Sequence, residues 1–435
     1  MAVPFATTPS RMKDCILLLS ALLSVSLLYF QHLRLNLRPP TASLSAVESP
    51  SPLPPPLSLD RVLFSVAASS SSLRSRAAYI RLWHGPISHL NTTFLFLDRP
   101  PSYPTPSLPP IIVPPNTSSL SPGHRIARVV KDALALNVPG IYWYVFGDDD
   151  TLFFTENLVR ILSKYDNNKW YYIGCNSESY EQNEKFYFDM AFGGGGYAIS
   201  APLARVLARV LDSCLDRYRH LYGSDARIFA CLAELGVRLT VEPGFHQVDV
   251  RGSLFGLLST HQLSLAASLH HIDAVDPIFP GVSRIDALEH LFNAVRVNPA
   301  RIFQQTVCYD HTNSLTVSVS WALLFKYMKE INFLLKFSRY REPLGHGREE
   351  GMWLQAVISD TTGVWTNYRR HSAGNCSRTK GIENLEGVGV YSLNLDFSIE
   401  QAPRRQCCDI SSVSDGTMTI QIRKCGIYEL IAMRG

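Results

Sequence analysis

Three consecutive carboxylates, Asp148, Asp149 and Asp150, close the apolar and aromatic stretch IYWYVFGDDDTLFF at residues 141–154. Acids crowded at the end of a buried strand repel one another and lose hydration, and a bound cation offsets both costs. Asp148 and Asp150 are two apart, so in an extended segment their side chains share a face and offer two oxygens to one hard cation. A solvated acidic turn, or a cap for the following helix, would use the same residues without a metal.

Further candidates lie downstream. Asp225 follows Gly223 and Ser224 at the start of an amphipathic helix over residues 226–235, where a carboxylate also serves simply to complement the helix dipole. His246 follows a strand at residues 237–241, and His270 and His271 form a pair that reads equally well as structural. The glycines 193–196 in AFGGGGYAIS formally match a dinucleotide-binding fingerprint, through Gly193, Gly195 and Ala198. No clean strand precedes them and a strand rather than a helix follows, so they read as a turn or as a close approach of backbone to a bulky ligand.

The elements that position these residues alternate. A strand at residues 59–66 is followed by a helix at 70–83 with Arg74, Arg76 and Arg81 on its polar side. A strand at 93–97, a proline-crowded loop at 99–122 and a helix at 124–136 lead to the strand at 141–146, which Gly147 ends. Thr155 is placed to cap a helix at 156–164, and a short strand follows at 170–173. Strand–helix alternation predicts an α/β fold with a mostly parallel central sheet and helices on both faces. Ligands of such sheets sit beyond the carboxyl ends of the strands, where Asp148, Asp149 and Asp150 lie.

The chain has 435 residues and a formal net charge of +4, with no long basic run, so nucleic acid is not an expected partner. Residues 15–30 carry no charge and the apolar segment reaches Leu33, which reads as a signal anchor at 15–33 after a tail at 1–14, with the membrane as a partner. A Pro- and Ser-rich stalk follows at 34–57. Sequons at Asn91, Asn116 and Asn375 favour a lumenal body. Of nine cysteines, Cys15 lies in the anchor and eight follow it, an even number that suits an oxidising compartment or else a set of buried thiols.

The ordered series GDDDTLFF, FGGGGYAIS, GSDARIFACLAELGV, EPGFHQVDVRG and SLHHIDAVDPIFPG resembles the plant proteins related to Fringe, within glycosyltransferase family 31. The resemblance runs from about Leu59 to the C-terminal APRRQCCDI and GTMTI. It implies a GT-A type nucleotide-sugar transferase fold over residues 58–300 and a C-terminal extension over 301–435 with Cys-rich β segments. It implies a type II Golgi membrane protein with a lumenal catalytic part, a UDP-sugar donor, Mn²⁺, and a glycan or glycoprotein acceptor. Carried over residue by residue, Asp150 and His246 hold the metal, and Asp148 and Asp149 bind on the nucleotide side. Gly194 and Gly195 line the sugar side, Asp225 is the catalytic base, and Cys214 bridges Cys231. The segments at 88–93, 99–122 and 337–365 depart from the family pattern, which bears on the acceptor more than on the chemistry.

One base with no covalent nucleophile implies single displacement with inversion, with a β-1,3-type linkage suggested by the resemblance. A GT-A frame that binds glycans without catalysis is the alternative of a different class. A metal-dependent hydrolase would need more clustered ligands than the sequence offers.

Overall fold

The computed structural model describes residues 22–29, 31, 57–115, 119–259, 264–311, 313–328, 352–359, 363–370, 385–393, 406–414, 416–426 and 428–429. The central strand that the sequence ends at Gly147 runs from Trp143 to Asp148 (β4) and pairs in parallel with Val62–Ala67 (β1), Ala67 standing opposite Asp148. On the other side of β1 lie Thr93–Phe96 (β2) and Ile111–Ile112 (β3), both parallel. Across β4 the sheet continues with Tyr197–Ser200 (β7) antiparallel, then Tyr172–Gly174 (β6) and Leu239–Val241 (β8). Only β7 opposes the rest, so the sheet is parallel-rich.

β3 corrects the sequence reading of residues 99–122 as wholly irregular. Its two isoleucines sit between prolines on the sheet edge, the one place where proline does not cost a ladder bond. Leu95 N–H bonds Pro110 O and Leu97 N–H bonds Ile112 O, both at 2.9 Å.

Helices cover both faces because each inner strand is apolar on both. On β1, Val62, Phe64 and Val66 pack with Leu73–His84 (α1) and Thr155–Leu162 (α3). The short helix Tyr180–Lys185 (α4) follows β6 in the chain, and Leu63 and Ala67 face Pro122–Ala135 (α2), Ala201–Arg217 (α5) and Ser224–Glu234 (α6). The last two helices are tied by the Cys214–Cys231 disulfide, as the resemblance implies. Both sulfurs are buried, with the cysteines 17 apart in sequence. Replacing both by Ala is expected to cost about 3 kcal/mol, through the entropy that the unfolded chain regains. A urea titration under non-reducing conditions reads this as a lower midpoint with activity kept.

A small second sheet underlies the acids. Leu152–Phe153 (β5) pairs antiparallel with Ser268–Leu269 (β10), which pairs in parallel with Phe245–His246 (β9). Thr155 is the first residue of α3 rather than its cap; Phe154 stands at the cap position.

From Gln305 onward eight strands form one sheet, in the order β11–β12–β13–β14–β15–β16–β18–β17. They run from Gln305–Asp310 (β11) and Leu315–Ser320 (β12) through Leu324–Met328 (β13), Met352–Ser359 (β14), Gly363–Arg370 (β15) and Gly387–Leu393 (β16). Cys407–Ser414 (β17) and Thr417–Arg423 (β18) complete it. The terminal strands β11 and β17 are joined by the Cys308–Cys408 disulfide, so the sheet rolls back on itself; Cys407 also bridges Cys425. This module shares its core with the α/β part. Trp353 packs on Phe255 and Phe279, and His290 Nε2 lies 3.0 Å from Leu354 O.

Of the expected anchor at 15–33, residues 22–29 and 31 are described and helical; the rest of it, the tail at 1–14 and the stalk up to residue 56 lie outside the described residues. Among the described residues no helix is long and apolar enough to cross a membrane. Asn91 is exposed, and Asn116, Asn375 and Cys376 lie outside the described residues. Cys175 is unpaired.

Candidate active site

The three acids part company at the end of β4. Asp148 closes the strand, its N–H donating to Thr151 Oγ1 at 2.8 Å, and residues 149–150 turn back toward β5. Gly147 makes the turn feasible, since a Cβ there would stand 2.8 Å from Phe153 Cζ and 2.9 Å from Thr151 Oγ1. Thr151 Oγ1 in turn donates to Gly194 O at 2.7 Å, which ties the acid turn to the glycine run.

Asp149 points away from its neighbours, toward α1. It takes Arg76 Nη1 at 2.7 Å and the Ser72 hydroxyl. Arg76 also reaches Asp150 Oδ2 at 3.0 Å and Asp273 Oδ2 at 3.3 Å. The arginine that sequence places on a polar helix face is therefore built into the site, because α1 presents that face to the carboxyl end of the sheet. Arg76→Gln is expected to cost about 2 kcal/mol, below the fully buried case because Arg76 is 30% exposed while Asp149 is 3% exposed. The check is the melting temperature of the variant beside Arg76→Lys, which keeps a charge and is expected to recover part of the loss.

The turn brings Asp148 and Asp150 to a histidine, but not to the one the sequence assigns. His270 Nε2 lies 3.1 Å from Asp150 Oδ1 and 4.0 Å from Asp148 Oδ2. The three residues can each offer a ligand atom within 4.8 Å of the others. The register of the small sheet causes this. Leu152 pairs antiparallel with Leu269, so the residues before Leu152 meet those after Leu269. His246 stands one strand further away, opposite Leu269 on β9, and its Nδ1 lies 3.0 Å from Glu178 Oε1. The structure thus groups Asp148 and Asp150 with His270, while His246, the histidine expected to pair with Asp150, lies outside this group.

Gly194 is what admits this imidazole. A Cβ at that residue would stand 2.0 Å from His270 Cε1 and 2.3 Å from Nε2. Gly195 N–H donates to Gln247 Oε1 at 2.7 Å, and the Ser268 hydroxyl donates to Gly195 O. Gly196 needs its freedom for another reason, a φ of +87°. Behind His270, the His271 ring packs at a tilt of 31° with centroids 3.9 Å apart and bonds Asp249 through Nδ1 at 3.0 Å. Val248, a β-branched residue with a φ of +60°, is held there by its N–H bond to Glu178 Oε2 at 2.9 Å. Such strain persists where the surroundings over-determine a segment, as they do around a built site.

Asp225 sits at the N-terminus of α6, after Gly223 with its φ of +80°. Its Oδ2 accepts from Gly193 N–H at 3.3 Å and its Oδ1 from Ala226 N–H at 3.2 Å. A cleft lined by Ser65, Asp148, Gly193, Tyr197 and Ser224 joins this helix end to the acid turn. A separate apolar cavity of about 250 Å³, lined by Phe255, Phe279 and Trp353 among others, holds none of these residues.

The charges are arranged against their own solvation. Burial pushes Asp148 up to about 6, helped by Asp150, Asp149 and Asp225 and opposed by His270. Burial also works against the Asp150 carboxylate, but the His270 imidazole and the Arg76 guanidinium outweigh it and hold it below the usual range. Burial raises Asp225 despite its backbone donors. Asp150 Oδ1 is buried against His270 Nε2, and the other ring nitrogen, Nδ1, is buried without a hydrogen-bond partner among the described residues. Two carboxylates and an imidazole within 4.8 Å of one another could hold a divalent metal ion.

Residues 182–343 match the protein family described as "Protein of unknown function, DUF604", a span that takes in residues 193–196, Asp225, His246 and His270 but not the acid turn. No curated protein matches the chain significantly. One solved structure with a similar arrangement is described as a glycosyltransferase involved in the glycosylation of the major capsid of PBCV-1. It is 13% identical, with a TM-score of 0.29 over 52% of this chain and 98% of that one, a likeness too slight to bear on function.

Proposed function

We propose that this protein is a metal-dependent inverting glycosyltransferase of the Fringe-related kind, built on a GT-A type frame. It moves a sugar from a UDP-sugar to a hydroxyl of a glycan. The reading is carried by the grouping of Asp148, Asp150 and His270 at the carboxyl end of β4, beside a cleft that Asp148 shares with Gly193, whose N–H holds Asp225. Asp148, Asp150 and His270 would hold the cation, with Mn²⁺ suited to two carboxylates and one imidazole. That cation would offset the charge that develops on the departing diphosphate.

The remaining residues have roles that their contacts support. Asp149, Ser72 and Arg76 fix the acid turn, and Arg76 balances part of its charge. Gly193 N–H orients the Asp225 carboxylate, leaving it to accept the proton of the acceptor hydroxyl. No second carboxylate is assigned as a nucleophile, so the reaction is a single displacement. Three disulfides among the described residues and the exposed sequon at Asn91 suit the lumen of the secretory pathway, and a type II Golgi membrane protein anchored by residues 15–33 is the placement we propose.

The test is a panel of UDP-sugars presented to the secreted lumenal part, scored for Mn²⁺-dependent donor hydrolysis or transfer. Turnover of at least one donor, lost on chelation and restored by Mn²⁺, is the expected result. A frame that binds glycans without catalysis would show neither turnover nor a Mn²⁺-dependent rise in melting temperature with UDP.

A further inference from the structure

The segment leading into the glycine run is unusually aromatic at the surface. Tyr180, Tyr187 and Phe188 are 69%, 42% and 49% exposed, and Tyr222, three residues before Asp225, is 82% exposed. These rings are braced by one another or by half-buried partners. Tyr180 packs on Phe188 with centroids 5.6 Å apart, Tyr187 on Phe229 at 5.0 Å, and Tyr222 stacks on Phe186 at 6.2 Å. Phe186 meets Phe192, the residue before Gly193, at 5.9 Å. Phe229 stands one helical turn beyond Asp225 on α6. The aromatic surface is thus continuous, through its own packing and through the chain, with both residues that orient the candidate base.

Exposed aromatic rings with polar neighbours mark a binding surface. The ring face carries the negative lobe of its quadrupole and attracts weakly positive C–H groups. A pyranose has that amphiphilic shape: C–H groups project from its faces and hydroxyls from its rim. Charged side chains lie nearby in the same segments, including Glu181, Lys185 and Asp189, the last paired with Arg238 at 3.0 Å.

We propose that Tyr180, Tyr187, Phe188 and Tyr222 form a saccharide platform that lays the acceptor's sugar units against α6, with the reacting hydroxyl directed to Asp225. The proposal rests on the glycosyltransferase reading and names its acceptor class: a glycan recognised through its sugar faces, not through a polypeptide. The rings act by face rather than by hydroxyl, so Tyr222→Phe keeps the function and Tyr222→Ala loses it.

Saturation-transfer NMR on the full lumenal part tests this, with galacto-, gluco- and xylo-oligosaccharides as probes. Wild type and Tyr222→Phe are expected to saturate the sugar ring protons of at least one probe. The Tyr222→Ala/Phe188→Ala double variant is expected to bind that probe at least tenfold more weakly, with its melting temperature and its stabilisation by UDP and Mn²⁺ unchanged. Equal binding by wild type and the double variant would overturn the platform. So would a wild type stabilised by UDP and Mn²⁺ that binds no probe, or one that binds only a deglycosylated polypeptide. Loss of UDP and Mn²⁺ stabilisation in wild type would instead sink the glycosyltransferase reading, and the sugar-proton signal would still report on the platform alone.

Discussion

Asp150→Asn and His270→Ala are each expected to abolish the Mn²⁺-dependent rise in melting temperature with UDP and to lower transfer by about 10³-fold. The magnitude follows from the several kcal/mol of leaving-group charge that a divalent ion offsets, at about 1.4 kcal/mol per factor of ten. The informative contrast is His246→Ala. His246 sits one strand away with its Nδ1 at Glu178, so its loss is expected to leave the metal-dependent stabilisation in place. Titrating Mn²⁺ by calorimetry into the three variants separates the outcomes. Intact Mn²⁺ affinity in His270→Ala, with affinity lost in His246→Ala, would restore the assignment made from sequence and reject the one made from geometry.

That contrast marks where the sequence stopped being legible. The β4 strand and its acids can be read from the primary structure, because an uninterrupted aromatic and apolar run is the signature of a strand buried on both faces. The alternation of elements around it likewise fixes a parallel-rich sheet with helices on both sides. Asp225 is readable as the first-turn acid of an amphipathic helix. His270 is not readable, because its place depends on β5, β9 and β10, strands of two residues each, which are too short to show any period. Only their register, Leu152 against Leu269, brings His270 rather than His246 beside Asp150. Arg76 is hidden differently. Helix periodicity separates a polar from an apolar face, but it cannot say that the polar face meets three carboxylates rather than water. The terminal module shows the same limit, since the Cys308–Cys408 bridge that rolls its sheet joins residues 100 apart.

Asp225→Asn is the second variant with a large expected effect, and its value lies in what it leaves intact. The two N–H groups bond different oxygens of Asp225, so the single Asn oxygen can still accept from Gly193 or from Ala226 and keeps one of the two anchors. Binding of UDP and Mn²⁺ is expected to persist, because Asp225 is not among the three residues that group as candidate metal ligands. Turnover is expected to fall by about 10²- to 10⁴-fold, the usual contribution of a positioned base. The pH dependence supplies a sign that a purely structural role would not. Burial raises the Asp225 carboxyl above its unfolded value, so the ionised group disfavours the native state at neutral pH. Its contribution to stability is most favourable below the unfolded pKa and declines as pH rises toward the folded one. Removing the charge therefore offsets the loss of one backbone bond, and the melting temperature at pH 7 is expected to change little while activity collapses. In the wild type, transfer is expected to fall on the acid side as Asp225 takes up its proton, at a pH above that of an ordinary aspartate. A variant that melts far lower at pH 7 would make Asp225 the dipole-complementing residue of α6, and one that turns over normally would move the role of base to another group.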